Sequence, residues 1–460
     1  MVAPAAKPLE VFTVADAPAV AETRSGSLAV RLWERQGIPQ SHQESSAPQE
    51  GTLPAVGVFL PRPGGWEDLR DRYQDAVINA VRAGPRVESK ARELQGDTGE
   101  QTARNFYRMV TTRLRAGAGG WENLDIASAE DTLAGYSGSR TAVLLALARA
   151  AGLDARLLLA RELDFARPQS AGRNAYTHPL VWFRFGPKDQ VADAESQGLA
   201  FGVLPATLAH GDALLVPVTD SGTVPAGPQK PSESTSAALI VPVPPSVGDE
   251  HSVAEGDVTF DRQGNLSAQV TIRMGAARSA QMRAVLRGVE PEERRHFLEQ
   301  VAMRIFPGAV GAEGGIRNEN DPEQALELQF RCRAPRFLAV HGHSTALDQL
   351  APILGLRKMY AVEARRLPLY IDMPLIETAD FRVHLPAGFA VTALPVDLRT
   401  ETEFGSYSLE FHQPSRSEID IRRAFRIPVQ LVAPDRFPEF SRFERQIDDA
   451  ERQQISLAIE

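Results

Sequence analysis

A stretch rich in proline, serine and threonine, from Val216 to Pro245, separates two parts of the chain with different hydrophobic periodicity. Before it, apolar residues recur mainly at helical spacing and then in short runs that are typical of strands. After it, apolar and polar residues mostly alternate, which is typical of half-buried strands. We interpret the stretch as a linker between domains, because so many turn-forming residues in succession are typical of loops.

Two amphipathic helices and several strands are predicted in this order before the linker. The apolar residues of the first helix stand at i, i+3 and i+7, and those of the second at i, i+3, i+7 and i+11. Each spacing indicates one buried helix face. These residues are Trp66, Leu69 and Tyr73, and then Ala103, Phe106, Val110 and Leu114. The segments ARLLLAR, HPLVWFRF and QVADA are predicted as strands, and a further strand is predicted at Leu28–Trp33. Helices followed by strands favour an α+β fold.

The part after the linker is predicted to be β-rich. The sequence GDVTFDRQGNLSAQVTIRM indicates a hairpin with its turn over Asp261–Asn265. A helix is predicted to begin at Pro291, and strands are predicted at FRVHL, YSLEF and IDIRRAFRI. The end, FPEFSRFERQIDDAERQQI, predicts an amphipathic helix over residues 437–455. The chain's 460 residues therefore divide into predicted domains at 1–62, 63–217 and 246–460, with the linker at 218–245.

Composition excludes some classes of function. The net charge of −9 argues against a nucleic-acid partner, because binding to a phosphate backbone needs basic surface. No run of 18 or more apolar residues is present, so no membrane span is predicted, and the first residues lack the apolar core of a signal peptide. Neither a phosphate-binding loop nor a dinucleotide motif is found, and we expect no cofactor.

The single cysteine, Cys332, is predicted to be structural. It belongs to the segment ALELQFRCR, in which alternate residues are apolar, so its thiol is expected on the inner face of a half-buried strand. A buried thiol with no activating neighbour is usually inert. The HGHS segment, with His341 and His343, could bind a metal, but no further ligand lies at a useful spacing and exposed loop residues are the simpler interpretation.

The segment GYSGSRTAVLLALARAAGLDAR predicts a helix that begins after a serine and ends at Gly152. Serine is a favoured residue at a helix N-terminus, because its oxygen accepts a hydrogen bond from a free backbone N–H. Either Ser137 or Ser139 could serve as this cap. Glycine is favoured just beyond the last turn.

Three segments stand in a telling order between about Glu93 and Pro217: the helix end ALARAAGLDAR, then AYTHPLVWFRF with His178, then DQVADAES with Asp193. In these segments and their order, this part of the chain resembles the bacterial transglutaminase-like domain, which has a papain-like fold. The resemblance implies a papain-like core, with His178 and Asp193 as two members of a catalytic triad. Residues 246–460 resemble the β-rich C-terminal region of the same multidomain proteins, and residues 1–62 resemble the trailing part of their N-terminal β domain. The resemblance also implies an exported protein, although the residues themselves leave the compartment open.

The family's catalytic cysteine has no counterpart in this segment. Alignment without gaps puts Ser137 at its position, whereas a shifted alignment puts Ser139 there, followed by Arg140 and then Thr141 in place of an aspartate. A free thiol has a pKa of about 8.5 and can be ionised by a neighbouring histidine. A serine hydroxyl is far less acidic and would need that histidine as a general base during attack.

Two functions follow from this pattern. In the first, the chain is a catalytically degenerate transglutaminase-like protein, a pseudoenzyme, that binds a peptide or protein ligand or acts as a scaffold. His178 and Asp193 are then a structural remnant, and the serine is only a helix cap. In the second, the chain is an amide-bond hydrolase or acyltransferase that uses Ser137 or Ser139 as nucleophile, His178 as base and Asp193 to orient it. Neither the ligand nor the oligomeric state can be predicted from the sequence.

Overall fold

The structure is a computed structural model. It describes residues 1–6, 9–14, 17–36, 44–47, 55–59, 65–117, 120–161, 176–205, 207–209, 211–216, 218, 240–246, 248–339, 342–348 and 364–459. They show a mixed architecture of helices and β-sheets with β-rich segments on either side of a helical region, which confirms the predicted α+β class.

The chain divides into two compact units. The N-terminal unit comprises residues 1–197 and 201–247, and the C-terminal unit comprises residues 198–200 and 248–460. Most of the predicted linker, 218–245, lies outside the described residues. The finer domain boundaries at 62 and 217 stay predictions.

The described part of the N-terminal unit contains five helices and twelve strands. The helices are α1 (Gly65–Ala80), α2 (Pro85–Glu93), α3 (Gly99–Arg113), α4 (Ala129–Gly135) and α5 (Arg140–Ala150). The strands are β1 (Val2–Pro4), β2 (Glu10–Val14), β3 (Val20–Ser25), β4 (Leu28–Trp33), β5 (Ala55–Phe59), β6 (Arg115–Ala116), β7 (Ser137–Gly138), β8 (Ala155–Ala160), β9 (His178–Phe185), β10 (Lys188–Ala192), β11 (Asp212–Val216) and β12 (Ile240–Pro242).

Helix α5 is the centre of this unit. All of its residues from Arg140 to Ala148 are buried, because the sequence is apolar around the whole helix and not along one face only. It packs against α2, α3 and α4, and against strands β8 and β9. Those strands belong to an antiparallel sheet in the order β10-β9-β8-β11-β12. The buried Leu69, Tyr73 and Phe106 confirm the two predicted helix faces.

The first strands form two small sheets, β1-β4-β3 and β2-β5. Strand β4 lies where a strand was predicted. Val2, Val30 and Leu32 share one face of the three-stranded sheet, since Val2 pairs with Val30 and side chains alternate along β4. Val2 and Leu32 are 61% and 56% exposed, so this apolar face is largely uncovered in the described structure.

The described part of the C-terminal unit contains three helices and thirteen strands. The helices are α6 (Ala276–Leu286), α7 (Pro291–Ile305) and α8 (Phe437–Ala450). The strands are β13 (His251–Phe260), β14 (Leu266–Arg273), β15 (Val310–Arg317), β16 (Glu327–Ala334), β17 (Ser344–Leu347), β18 (Leu369–Ile371), β19 (Leu375–His384), β20 (Phe389–Ala393), β21 (Leu398–Thr402), β22 (Gly405–Ser415), β23 (Glu418–Ile427), β24 (Gln430–Val432) and β25 (Ile455–Ile459).

Eight of these strands form one sheet in the order β15-β16-β14-β13-β19-β23-β22-β21. All neighbouring pairs are antiparallel except β13 and β19. The predicted hairpin is confirmed as β13 and β14, and α7 begins at Pro291 as predicted. Cys332 lies buried on the inner face of β16, where burial raises the pKa of its thiol to about 11. That position agrees with a structural role.

The predicted closing helix is too long. Helix α8 ends at Ala450, and β25 follows it and pairs with β17 and β20. The reason lies in the last residues, where Ile455 and Leu457 are buried and Ser456 between them is exposed. This alternation is that of a strand, and it begins where the helical pattern stops.

Two further observations concern the described residues alone. They include no helix that is both long enough and apolar enough to cross a membrane. They also include no group of three or more histidine, cysteine, aspartate or glutamate side chains arranged to hold a metal ion. His341, part of the HGHS segment, lies outside the described residues.

Candidate functional site

Ser139 is the N-terminal cap of α5. Its backbone is extended, with φ −82° and ψ 109°, and its Oγ accepts a hydrogen bond from Ala142 N at 3.1 Å. The capping interpretation of the sequence is therefore confirmed for Ser139. Ser137 lies instead in the two-residue strand β7, where it is exposed and pairs in parallel with Arg115.

The turn between α4 and α5 explains why the sequence reads GYSGS. Tyr136 ends α4 with a left-handed backbone, φ 54°, and its side chain is 65% exposed. Gly138 has φ 150°, and a side chain there would collide with the Thr132 hydroxyl. Glycine is therefore required at position 138, because both the conformation and the space exclude a Cβ. Gly117 N donates to Gly138 O at 2.8 Å, which fixes the turn against β6.

Arg140, the first residue of α5, has a structural contact. Its buried guanidinium donates from Nε and Nη2 to Leu114 O, at 2.9 and 2.7 Å. Leu114 follows directly after α3, so this side chain ties the start of α5 to the end of α3. Arg140 is the basic residue that the shifted alignment places after the nucleophile, and its side chain points into the protein.

His178 and Asp193 lie together. His178 is the first residue of β9 and Asp193 follows directly after β10, and the antiparallel pairing of these strands brings the two residues to one end of the sheet. His178 Nε2 and Asp193 Oδ2 are 2.9 Å apart. The His178 side chain is 25% exposed, whereas that of Asp193 is fully buried. The structure therefore joins the two residues that the family resemblance selected.

Several hydrogen bonds hold the Asp193 carboxylate and backbone in place. Its Oδ1 accepts from Glu195 N at 3.1 Å and from Ser196 N at 2.9 Å, and its carbonyl oxygen accepts from Tyr107 OH at 3.0 Å. Burial alone raises the pKa of Asp193, but the hydrogen bonds and charge of His178 and the hydrogen bonds of Ser196 outweigh it. The net result is a pKa below the ordinary value of a carboxyl group, so Asp193 is an anion at neutral pH.

Glu195 is a member of the site that the sequence did not reveal. Its Oε1 accepts a hydrogen bond from Thr141 N at 3.0 Å and from Ser139 Oγ at 3.3 Å. Thr141 is the second residue of α5, so its N–H is one of those that a helix leaves without an internal partner. A helix N-terminus favours negative charge, which explains why a carboxylate occupies this position.

The site thus consists of two pairs. One pair is His178 with Asp193, and the other is Ser139 with Glu195. Within the part of the chain that the structure describes, neither Ser137 nor Ser139 forms a hydrogen bond with the His178 ring. One short segment supplies a carboxylate to each pair, because Glu195 stands two residues after Asp193. The catalytic roles of Ser137, Ser139, His178 and Asp193 stay predictions.

The position of Glu195 could only have been suspected from the sequence. Its one local signal is an acidic residue two positions after the predicted triad aspartate, in DQVADAES. Its partners lie 54 and 56 residues earlier in the chain. A contact of that separation depends on how β10 and α5 pack, which residue patterns do not specify.

Comparisons with known proteins match one segment of the chain to a domain family and the fold of the whole chain to a solved structure. A domain family of unknown function with solved structure, DUF3858, matches residues 349–457. A crystal structure of a putative protease from Parabacteroides distasonis ATCC 8503 is similar to the whole chain, with a TM-score of 0.61 and 10% sequence identity. The similarity covers 100% of this chain and 71% of that one, and at this identity it concerns the fold alone. No curated protein matches the sequence.

Proposed function

We propose that the chain is a transglutaminase-like protein whose candidate site has lost cysteine chemistry and binds a peptide or protein segment. The observation that carries this proposal is the bonding of Ser139. Its oxygen accepts the hydrogen bond that begins α5, and its hydroxyl faces Glu195 at 3.3 Å. A serine nucleophile of the triad type would instead need its hydroxyl hydrogen-bonded to the His178 ring, which takes the proton during attack.

The position of the serine is also unfavourable for acyl transfer. Attack on an amide carbonyl creates a negative oxygen, which enzymes stabilise with preorganised backbone N–H groups. Thr141 N and Ala142 N are the first-turn donors of α5 that lie next to the serine, and both already have protein partners. One of those partners is a carboxylate, which repels a second anion.

The comparisons support the proposal in its coarse form. The DUF3858 match covers part of the C-terminal unit and is consistent with a multidomain transglutaminase-like protein. The finer assignment, with a transglutaminase-like domain at 63–217 between β-rich domains at 1–62 and 246–460, belongs to the proposal. So does export from the cell, which depends on the family resemblance.

The alternative is an amide-bond hydrolase or acyltransferase. It is favoured by the His178–Asp193 pair, since a partly exposed histidine oriented by a buried carboxylate is the usual base of a triad. The similar structure is described as a putative protease, which makes hydrolysis of peptides the reaction to test. In this alternative His178 Nδ1 would face the nucleophile, because Nε2 is bonded to Asp193.

A fluorophosphonate probe separates the two functions, because it forms an adduct only with an activated serine hydroxyl. We expect no adduct on Ser137 or Ser139 when the intact chain is treated and its peptides are analysed by mass spectrometry. An adduct on either serine that disappears in a His178→Ala variant would overturn the non-catalytic proposal and establish the alternative.

Binding is tested by selecting peptides from a displayed random library against the intact chain. Selected peptides should bind a His178→Trp variant at least tenfold more weakly, because the larger ring obstructs the candidate site. His412→Trp is the matched control, since His412 is 72% exposed on the C-terminal unit's sheet, and it should bind like the original chain. Equal affinity for both variants, or no selected peptide, would contradict binding at this site.

A further inference from the structure

The carboxylate of Glu195 occupies the N-terminus of α5, where an ionised nucleophile would have to lie. We propose that Glu195 supplies the negative charge at this helix end in place of a thiolate, and that it thereby prevents residue 139 from ionising. This inference rests on the proposed function, because it names the residue that keeps the site non-nucleophilic. On this inference, two residues keep the site from acting as a nucleophile: the serine at position 139, which replaces the cysteine, and the glutamate at position 195.

The geometry gives Glu195 both contacts that such a role needs. Its Oε1 lies 3.0 Å from Thr141 N and 3.3 Å from Ser139 Oγ. The first contact uses the helix N–H that would otherwise stabilise an anion on residue 139. The second places the carboxylate directly against the atom that would become that anion.

The backbone of Glu195 is held by the same residue that binds His178. Glu195 N donates to Asp193 Oδ1 at 3.1 Å, while Asp193 Oδ2 lies 2.9 Å from His178 Nε2. Asp193 is fully buried, so its position is fixed by packing. The Glu195 side chain therefore reaches α5 from a fixed point, and its placement there is a built feature of the loop after β10.

Charge decides the effect on residue 139. A thiolate is favoured by a nearby histidine and by the partial positive charge of a helix N-terminus. A negative charge within hydrogen-bond distance opposes both effects, because it disfavours the thiolate. We expect it to raise the pKa of a thiol at position 139 by about one to three units. Restoring a cysteine at position 139 should therefore not be enough to restore a reactive thiolate while Glu195 is present.

The test compares Ser139→Cys with the double variant Ser139→Cys/Glu195→Gln. Glutamine keeps the size of the side chain and an oxygen for Thr141 N, but it removes the charge. The rate at which iodoacetamide alkylates the thiol introduced at position 139 is measured from pH 5 to pH 10, with the modified peptide identified by mass spectrometry. We expect the midpoint of the pH profile to be lower in the double variant by about one to three pH units. The midpoint is compared instead of the rate at one pH, because a thiolate of lower pKa is also a weaker nucleophile and its rate would partly cancel the shift.

Ser137→Cys, with and without Glu195→Gln, is the matched control. Ser137 is exposed and pairs with β6, and the midpoint for a thiol at this position should not change. Cys332 does not interfere, because burial and its raised pKa keep it slow and its peptide is distinct. If circular dichroism indicates that the glutamine double variant does not fold, Ser139→Cys/Glu195→Ala gives the same comparison.

Equal midpoints for the thiol at position 139 with and without Glu195, in folded variants, would overturn the role of Glu195. That result would leave the proposed function standing, since the absence of a fluorophosphonate adduct on the original chain does not depend on it. An adduct on Ser139 in the original chain would contradict the proposed function even if the midpoint of the introduced thiol shifted as expected. The two failures are therefore distinguishable.

Discussion

The two units each contain a buried carboxylate bonded to a basic side chain, and the surroundings of the basic partner differ. In the N-terminal unit, Asp193 is bonded to His178, whose side chain is 25% exposed. In the C-terminal unit, Glu451 lies 3.2 Å from Arg423, and both side chains are only 1% exposed. Tyr407 OH also donates to Glu451 at 3.2 Å, and burial together with the Glu451 charge raises the pKa of this tyrosine.

The comparison separates a candidate site from a structural ion pair. A buried carboxylate with a basic partner occurs in both units, so burial of the acid does not by itself identify chemistry. What distinguishes the N-terminal pair is that its basic partner, the His178 ring, reaches solvent. The Glu451 pair joins the end of α8 to strand β23 inside the core, and we assign it a role in stability alone.

The largest effect is expected at Glu451. Glu451→Leu removes the nearer of two carboxylates beside the buried Arg423, the other being Glu377 at 3.7 Å. It should lower the free energy of unfolding of the C-terminal unit by about 3 kcal/mol, the low end of the range for a broken buried pair. The double variant Arg423→Met/Glu451→Leu should lose much less, because the buried cation is removed as well and Glu377 keeps its ion pair with Arg278. Unfolding in urea is followed by far-ultraviolet circular dichroism.

Arg422, the neighbour of Arg423 on β23, provides the matched control. It lies 3.5 Å from Asp380, and the two side chains are 66% and 56% exposed. Asp380→Ala should therefore cost no more than about 1 kcal/mol. Losses of similar size for Glu451→Leu and Asp380→Ala would show that burial does not distinguish these pairs.

A smaller and pH-dependent effect is expected at Asp193. Asp193→Asn should lower the stability of the N-terminal unit by about 1.5–3 kcal/mol at neutral pH, because it removes the charge from buried hydrogen bonds. All four tryptophans of the chain, Trp33, Trp66, Trp121 and Trp182, precede residue 197, so tryptophan fluorescence reports on this unit. Asp189→Asn, at a partly exposed ion pair with Arg184, is the control and should cost under about 1 kcal/mol.

The sign of the pH dependence follows from the lowered pKa of Asp193. Its ionisation contributes stability above the unfolded-state pKa of about 3.9, and this contribution is lost as pH falls through the lower folded-state pKa. The difference between the original chain and Asp193→Asn should therefore be complete near pH 6 and shrink below pH 4. A difference that grows as the pH falls below 4, where Asp193 itself takes up a proton, would contradict the assignment.

The smallest effect concerns the two serines. Ser139→Ala should lower the stability of the N-terminal unit by about 1 kcal/mol, because it removes the cap of α5. Ser137→Ala is the control, and it should change stability by less than about 0.5 kcal/mol, since the side chain is exposed. Equal losses at the two positions would mean that capping by Ser139 contributes nothing of its own.

Much of the fold could be predicted where one face of an element is buried. The alternation in β16 placed Cys332 on the inner face, and the apolar spacing in α1 and α3 identified Leu69 and Phe106 as core residues. Strand β15 was not predicted, because its sequence VGAEGGIR is glycine-rich and mostly exposed. The end of α8 was misplaced, because polar residues that suit a helix surface also occur in the turn before β25.

The candidate site likewise has features that the sequence predicts and one that it does not. The cap at Ser139 is a local feature, and residue preference predicted it. The contact between His178 and Asp193 follows from two adjacent strands, and the order of motifs in a resembling family was enough to pair these residues. Glu195 meets α5 through tertiary packing alone, and no local pattern carries that information.

The spacing of Asp193 and Glu195 has a consequence for motion. The two carboxylates stand two residues apart in one short segment, yet one holds His178 and the other holds the first turn of α5. A displacement of this segment would break both contacts in a single event. The amide hydrogens of Thr141, Glu195 and Ser196, all of which donate to these carboxylates, should therefore exchange with solvent through one shared opening. The two halves of the site are in this sense a single cooperative unit.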